Sequence, residues 1–181
     1  MTKPEEPALS RQERLRRVII LCCAVLRNFS YYRAGWDGEN RFFTGELQAT
    51  VNSNFLDMGV IDWCKLFGEN RENHHWSQIF EDVNRRRLFK KSLHDGLNCN
   101  RAQWKELRDG MLAYRHRFLA HLDEQREMQI PKLELAINAA IFYHHFLMSQ
   151  ENDGRTYGTL PDNGHAYNEC CHAEGLKFYC R

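Results

Sequence analysis

The chain has 181 residues, 43% of them apolar, with 25 Lys and Arg against 24 Asp and Glu and a formal net charge of +1. That suffices for one domain with a real core and is too short for two ordinary domains plus a linker. The near-neutral balance excludes a basic coat for non-specific nucleic-acid binding and an acidic, solvating composition alike. Arg outnumbers Lys by 18 to 7. Guanidinium forks suit phosphate and carboxylate, although an Arg-rich solvated surface is the plainer account of the same bias.

The longest apolar run, Val18 to Leu26, is nine residues, far below the ~20 needed to span a bilayer. Arg14, Arg16 and Arg17 precede it in the manner of a secretory signal. Against that reading stand Glu5, Glu6 and Glu13 upstream, Arg27 directly after, and no small-x-small cleavage pattern. The seven cysteines are odd in number and lack CxxC spacing, which predicts free, largely buried thiols in a reducing cytoplasm. No membrane partner is expected.

Proline is absent from residues 8 to 130, and helical apolar periodicity through that stretch predicts an all-α, single-domain bundle of about five helices. Residues 1–9 read as a flexible N-terminus and 10–150 as the bundle. Ser10 and Glu13 form a capping box before the stripe Leu15, Val18, Ile19, Cys22, Leu26 and Phe29, which predicts a first helix ending near Gly35. A second is predicted from about Phe43 to Phe67, stopped by Gly68; its second half is apolar on nearly every side and belongs in the centre. A third should cover Trp76 to His94, with a basic patch at Arg85, Arg86, Arg87, Lys90 and Lys91 as a candidate nucleic-acid contact. Asn100 caps a fourth from Arg101 to about Leu122. Pro131 opens a fifth that ends near Gln150. Residues 151–181, with four of the eleven glycines and no clear period, read as an irregular C-terminal tail.

The fourth helix carries the most informative stretch. At ~100° per residue, Trp104, Leu107, Met111, Phe118 and Leu122 share one face, and Arg115 falls in its middle. A guanidinium there needs an acidic partner, a wet cleft or an anionic ligand. His121 borders the same face, with Arg117 one turn above it. By geometry alone, a structural Arg–Asp pair beside a satisfied histidine is a better explanation of the pattern than a site is. An RNA strand supplies its own 2′-hydroxyl nucleophile, so a proton-carrying His and a phosphate-binding Arg are the two groups its cleavage lacks. That route asks for no metal, and the carboxylates form no tight cluster in the sequence to hold paired ions.

Arg115, five intervening residues and His121 resemble the Arg-x4–6-His motif of the HEPN superfamily. Leu107-Arg108-Asp109, the run Ala120-His121-Leu122-Asp123, and the segment Ile61-Asp62-Trp63-Cys64-Lys65-Leu66-Phe67-Gly68 are similar to the AbiU-type abortive-infection branch. The resemblance covers roughly residues 10 to 150. It implies a homodimeric helical bundle acting as a metal-independent endoribonuclease in antiviral defence or a toxin–antitoxin pair, without cofactor, with RNA as substrate and an antitoxin protein as partner. In that role Arg115 would hold the scissile phosphate and His121 would move the proton of the 2′-hydroxyl or of the leaving 5′-oxygen. His116, Arg117 and Asp123 would support them. Many active members carry Asn or Asp directly after the Arg, where His116 stands here. Many HEPN proteins are inactive scaffolds, and a non-enzymatic module holding a partner or nucleotide in an Arg-lined groove is the alternative.

Remaining candidates have structural readings of their own. His144 lies on the stripe Leu133, Ile137, Ala140, His144, Leu147 and reads as a satisfied core histidine. His165, Cys170, Cys171, His172 and Cys180 could ligate zinc, but match no standard knuckle or ribbon spacing. Trp63 and Trp76 could stack on bases and more simply belong to the core.

Overall fold

The computed structural model describes residues 9–120, 130–150 and 160–180. Its elements are helices throughout, apart from one short hairpin: α1 (Arg11–Ala34), β1 (Trp36–Asp37), β2 (Asn40–Arg41), α2 (Glu46–Phe67), α3 (Trp76–Ile79), α4 (Val83–Gly96), α5 (Arg101–Tyr114) with a π-helical continuation over Arg115–Ala120, α6 (Leu133–Gln150) and α7 (Gly164–Tyr179). The all-α reading holds, with seven helices where the sequence predicts about five.

α1 is the axis of the bundle. Its capping box forms as the sequence predicts, Glu13 N–H donating to Ser10 Oγ and Ser10 N–H to the Glu13 carboxylate. Val18, Ile19, Cys22, Val25, Leu26 and Phe29 lose all exposure, because α2, α6 and α7 each pack against this helix. α2 contributes Leu56, Val60, Trp63, Cys64, Leu66 and Phe67 to the same core. Trp63 is fully buried and donates its indole N–H to Ala136 O of α6 at 3.2 Å, so it is a core residue and no base platform. Trp76, partly buried, stacks on Phe89 at 5.3 Å between centroids and packs against the core.

Two predicted elements need correction. The single helix over 76–94 is two, because Phe80 takes an extended conformation and Asp82 caps a new start. Arg86 bridges the break, its Nε donating to Phe80 O at 2.6 Å and its Nη2 to Glu81 O at 2.9 Å. The second correction concerns residues 151–181. Within the described part, 164–179 form a helix rather than an irregular tail. Asn163 caps it through His165 N–H and Ala166 N–H, and Cys171 and Tyr179 are buried. Ser30 of α1 donates to Asn168 Oδ1 at 2.7 Å, and Tyr31 Oη donates to Glu174 Oε2. Glycines 164 and 175, which looked like loop residues in the sequence, are what allow the helices to approach closely.

The hairpin closes the end of α1, with Gly38 at φ +60° in its turn. Behind it, the buried Asn52 amide accepts Trp36 Nε1–H at 2.9 Å and donates to Tyr32 O and Tyr179 Oη, each at 3.0 Å. One side chain thus satisfies polar groups of α1, the hairpin and the last turn of α7, in a place where an unpaired amide would be destabilising. His144 is fully buried, as a core histidine should be, and among the described residues its ring nitrogens make no close hydrogen bond, the Pro161 backbone being the polar group that faces it. Burial, with neighbouring His145 adding to it, pushes its pKa down.

The α1–α7 contact generates a test. A Cβ on Gly175 would lie 2.7 Å from the Ala34 Cβ, whereas one on Gly110, in mid-α5, meets nothing within 4 Å. Replacing Gly by Ala inside a helix ordinarily stabilises by roughly 0.5–1 kcal/mol. Gly110→Ala should therefore raise the melting temperature. At Gly175 the clash reverses the sign, because overpacking costs about 1–3 kcal/mol. Gly175→Ala should lower the melting temperature; a rise would show that α7 does not pack tightly on α1.

Candidate functional site

The segment that the sequence singles out lies where α5 changes pitch. From Arg115 to Ala120 the backbone runs as a π-helix, a form concentrated at functional sites. Its i→i+5 register departs from the ~100° step of a regular α-helix. His121 and Asp123 lie outside the described residues, and the geometry below concerns Arg115, His116 and their neighbours.

Arg115 sits at the edge of the core with 19% of its side chain exposed. The acidic partner its position demands comes from the loop after α2. Arg115 Nη2 donates to Glu69 Oε1 at 2.9 Å, and Nη1 lies 3.6 Å from Glu72 Oε1. His116 stands beside it, more than half exposed, with Nε2 3.3 Å from the same Glu69 oxygen and 3.4 Å from Arg115 Nη2. A guanidinium and an imidazole therefore converge on one carboxylate. The sequence pattern left an acid, a wet cleft or an anionic ligand open at Arg115 and suggested an Asp for the ion pair; the partners are Glu69 and Glu72. The available signal was the pair Glu69 and Glu72, three residues apart directly after Gly68, the stop residue of α2.

Neighbouring groups support the same corner. Tyr114 Oη donates to Asp57 Oδ1 at 2.7 Å, tying the end of α5 to α2, and burial together with that bond pushes the phenol's pKa up. Lys65 pairs with the buried Asp62 at 2.8 Å. Burial pushes the Cys64 thiol up to about 12, Glu69 and Glu72 adding to the shift while Arg115 opposes it. This cysteine is thus a neutral packing group and not a nucleophile. Arg117 is exposed on the π-helical segment.

The basic patch is divided by the fold. Arg86 is committed to the α3–α4 break, whereas Arg87, Lys90 and Lys91 line a cleft against the start of α5, and Arg85 is exposed on α4. The cleft and Arg115 lie toward opposite ends of α5. The five zinc candidates do not gather. Cys171 faces the core, Cys170 and Cys180 are exposed, and His165 lies 3.5 Å from Glu169. Among the described residues no three His, Cys, Asp or Glu side chains form a metal-binding group. Neighbours on a helix point ~100° apart, and that scatters the adjacent Cys170, Cys171 and His172. Among the described residues, too, no helix is long and apolar enough to cross a membrane.

Comparison with protein-family models, with curated proteins and with solved structures gives no match. The site is therefore read from its own chemistry.

The loop that presents Glu69 and Glu72 is anchored by a histidine. His75 is 2% exposed, and its Nδ1 accepts the Ser77 N–H at 3.2 Å as the cap of α3. Burial holds its pKa down at about 4, and burial lowers His74, His144 and His172 in the same direction. A group whose folded pKa is depressed binds protons in the unfolded chain first. The stability it contributes is thus complete above pH ~6.5 and is lost as pH falls toward about 4. Urea unfolding between pH 7.5 and 5 should show stability falling by up to ~1.4 kcal/mol per pH unit for each such histidine. His75→Asn, which retains a capping side chain, should make that acid limb shallower; an unchanged slope would remove His75 as its source.

Proposed function

We propose that the chain is a metal-independent endoribonuclease that cleaves RNA through the 2′-hydroxyl, with Arg115 as the phosphate-binding cation and His121 as the proton carrier. The observation that carries this reading is the state of Arg115. It is largely withdrawn from solvent, oriented by Glu69 and placed 3.4 Å from an exposed imidazole. A guanidinium preorganised in a partly dry corner stabilises a phosphorane-like charge more strongly than one in water. The resemblance to the HEPN superfamily supports the same assignment, a role in defence or a toxin–antitoxin pair, and action as a homodimer.

In the reaction the 2′-oxygen attacks phosphorus as its proton is taken up, and the bond to the 5′-oxygen breaks as that oxygen receives a proton. The products carry a 2′,3′-cyclic phosphate and a 5′-hydroxyl. Arg115 offers its fork to the non-bridging oxygens, so a phosphate must take the place that Glu69 holds in the free protein; carboxylate and phosphate use the same bidentate geometry. His116, the polar residue following the Arg, can then contact the substrate once Glu69 swings aside.

A second reading draws on the same contacts. With both Glu69 and Glu72 neutralising it, Arg115 satisfies the requirements of a purely structural ion pair, and the protein is then a helical interaction module.

Cleavage of single-stranded RNA in the presence of EDTA separates the two. His121→Ala and Arg115→Ala should each slow cleavage by roughly 10²–10⁴-fold. The double variant should be much less than additive if the two act as a unit. His165→Ala, on the exposed side of α7, should cleave like the wild type, and a substrate with 2′-deoxyribose at the scissile position should resist. Absence of cleavage by the wild type, or cleavage that survives both substitutions, would establish the interaction-module reading instead.

A further inference from the structure

The net charge of the chain is only +1, yet its cations are not evenly spread. Arg87, Lys90 and Lys91 follow one another along α4 at helical steps of three and one, and with Arg101 at the start of α5 they line an open cleft of about 600 Å³. Asp95 is the one carboxylate in the lining. His94, between them, turns its Nδ1 back to Cys99 O at 3.2 Å, which leaves the four longer side chains to define the mouth. The capping box of α5 uses the Ala102 and Gln103 N–H groups on Asn100 Oδ1, so an anion here would meet side chains and not free backbone donors. Four cations converging on a concavity raise the local concentration of anions in a way the overall charge does not.

The same helix that closes the cleft leads to Arg115. Arg101, Arg108 and Arg115 recur every seven residues, two turns apart, so they share one face of α5 at intervals of about 10.5 Å. Arg101 is exposed and lines the cleft. Arg108 is 40% exposed and makes a long, 3.7 Å contact with Asp109, whose other oxygen is taken by Lys105. Arg115 ends the row.

We propose that the α4–α5 cleft binds the phosphate backbone of single-stranded RNA and that the arginine row of α5 guides the strand from this cleft to Arg115. The proposal rests on the ribonuclease reading. It adds a binding site at the other end of α5 from the chemistry, and it makes the protein engage several nucleotides away from the scissile bond. Remote contacts of this kind hold a flexible strand in register, so that the reacting phosphate arrives where Arg115 can accept it.

The test measures binding apart from cleavage. A fluorescent oligouridylate methylated on its 2′-oxygens has the phosphates and lacks the nucleophile, and its anisotropy gives affinity at several salt concentrations. Lys90→Gln/Lys91→Gln should weaken binding ~tenfold at low salt and reduce the slope of log affinity against log salt by up to ~1.4, about 0.7 for each lost phosphate contact. Arg101→Gln and Arg108→Gln should each act in the same direction. Lys177→Gln, an exposed cation on α7, should bind like the wild type. All these positions are at least partly exposed, and unchanged far-ultraviolet circular dichroism verifies the fold. Affinity and salt slope unchanged in the cleft and row variants would overturn the proposal, even if cleavage depends on Arg115. Binding that depends on the cleft, in a protein that cleaves no RNA, would uphold the site while removing the ribonuclease reading.

Discussion

Burying α1 is the requirement on which the rest of the structure depends. Seven of its apolar side chains lose all contact with solvent, and no single neighbouring helix can cover them. α2 covers one side, α6 another and α7 a third. α7 contributes Tyr179 to the Asn52 cluster and brings Gly175 against Ala34, so the end of the chain finishes the burial that its beginning requires. The first and last described helices are therefore energetically coupled. A helix with little amphipathic pattern of its own is ordered by the surface it docks on rather than by propensity.

The same economy governs the site. A guanidinium at the border of a core is tolerated only when its charge is matched, and Glu69 and Glu72 match it from a loop that the buried His75 anchors. Those carboxylates orient Arg115 and also compete with any phosphate for it. Stability in the free protein and affinity for an anionic ligand therefore draw on one set of donors. The π-helical turn beginning at Arg115 belongs to this corner as well. It changes the pitch of the helix at the residue that leaves the apolar face, where a regular α-helix would have aimed a leucine.

Much of the fold was legible. The capping box at Ser10, the stripe on α1, the Gly68 stop, the Asn100 cap and the start of α6 soon after Pro131 are local signals, and each is found within a few residues of its expected place. The failures share a cause. Phe80 breaks a helix although its sequence neighbourhood is helical, because its ring packs against Phe89, Tyr143 and Phe146. α7 looked irregular because its period is weak and its glycines read as breakers.

By itself the sequence determined that the protein is helical, where most helices start, that Arg115 among apolar side chains needs an acid, a wet cleft or an anionic ligand, and which cations lie on α4. Those properties follow from periodicity, capping and the free energy of burying charge, all of which act over a turn or two of chain. Only the tertiary structure decided that the acids are Glu69 and Glu72, that Arg86 is a bridge while Arg87, Lys90 and Lys91 join Arg101 in a cleft, and that residues 164–179 complete the core. These depend on which surfaces meet across tens of residues, and a one-dimensional pattern contains no term for such encounters.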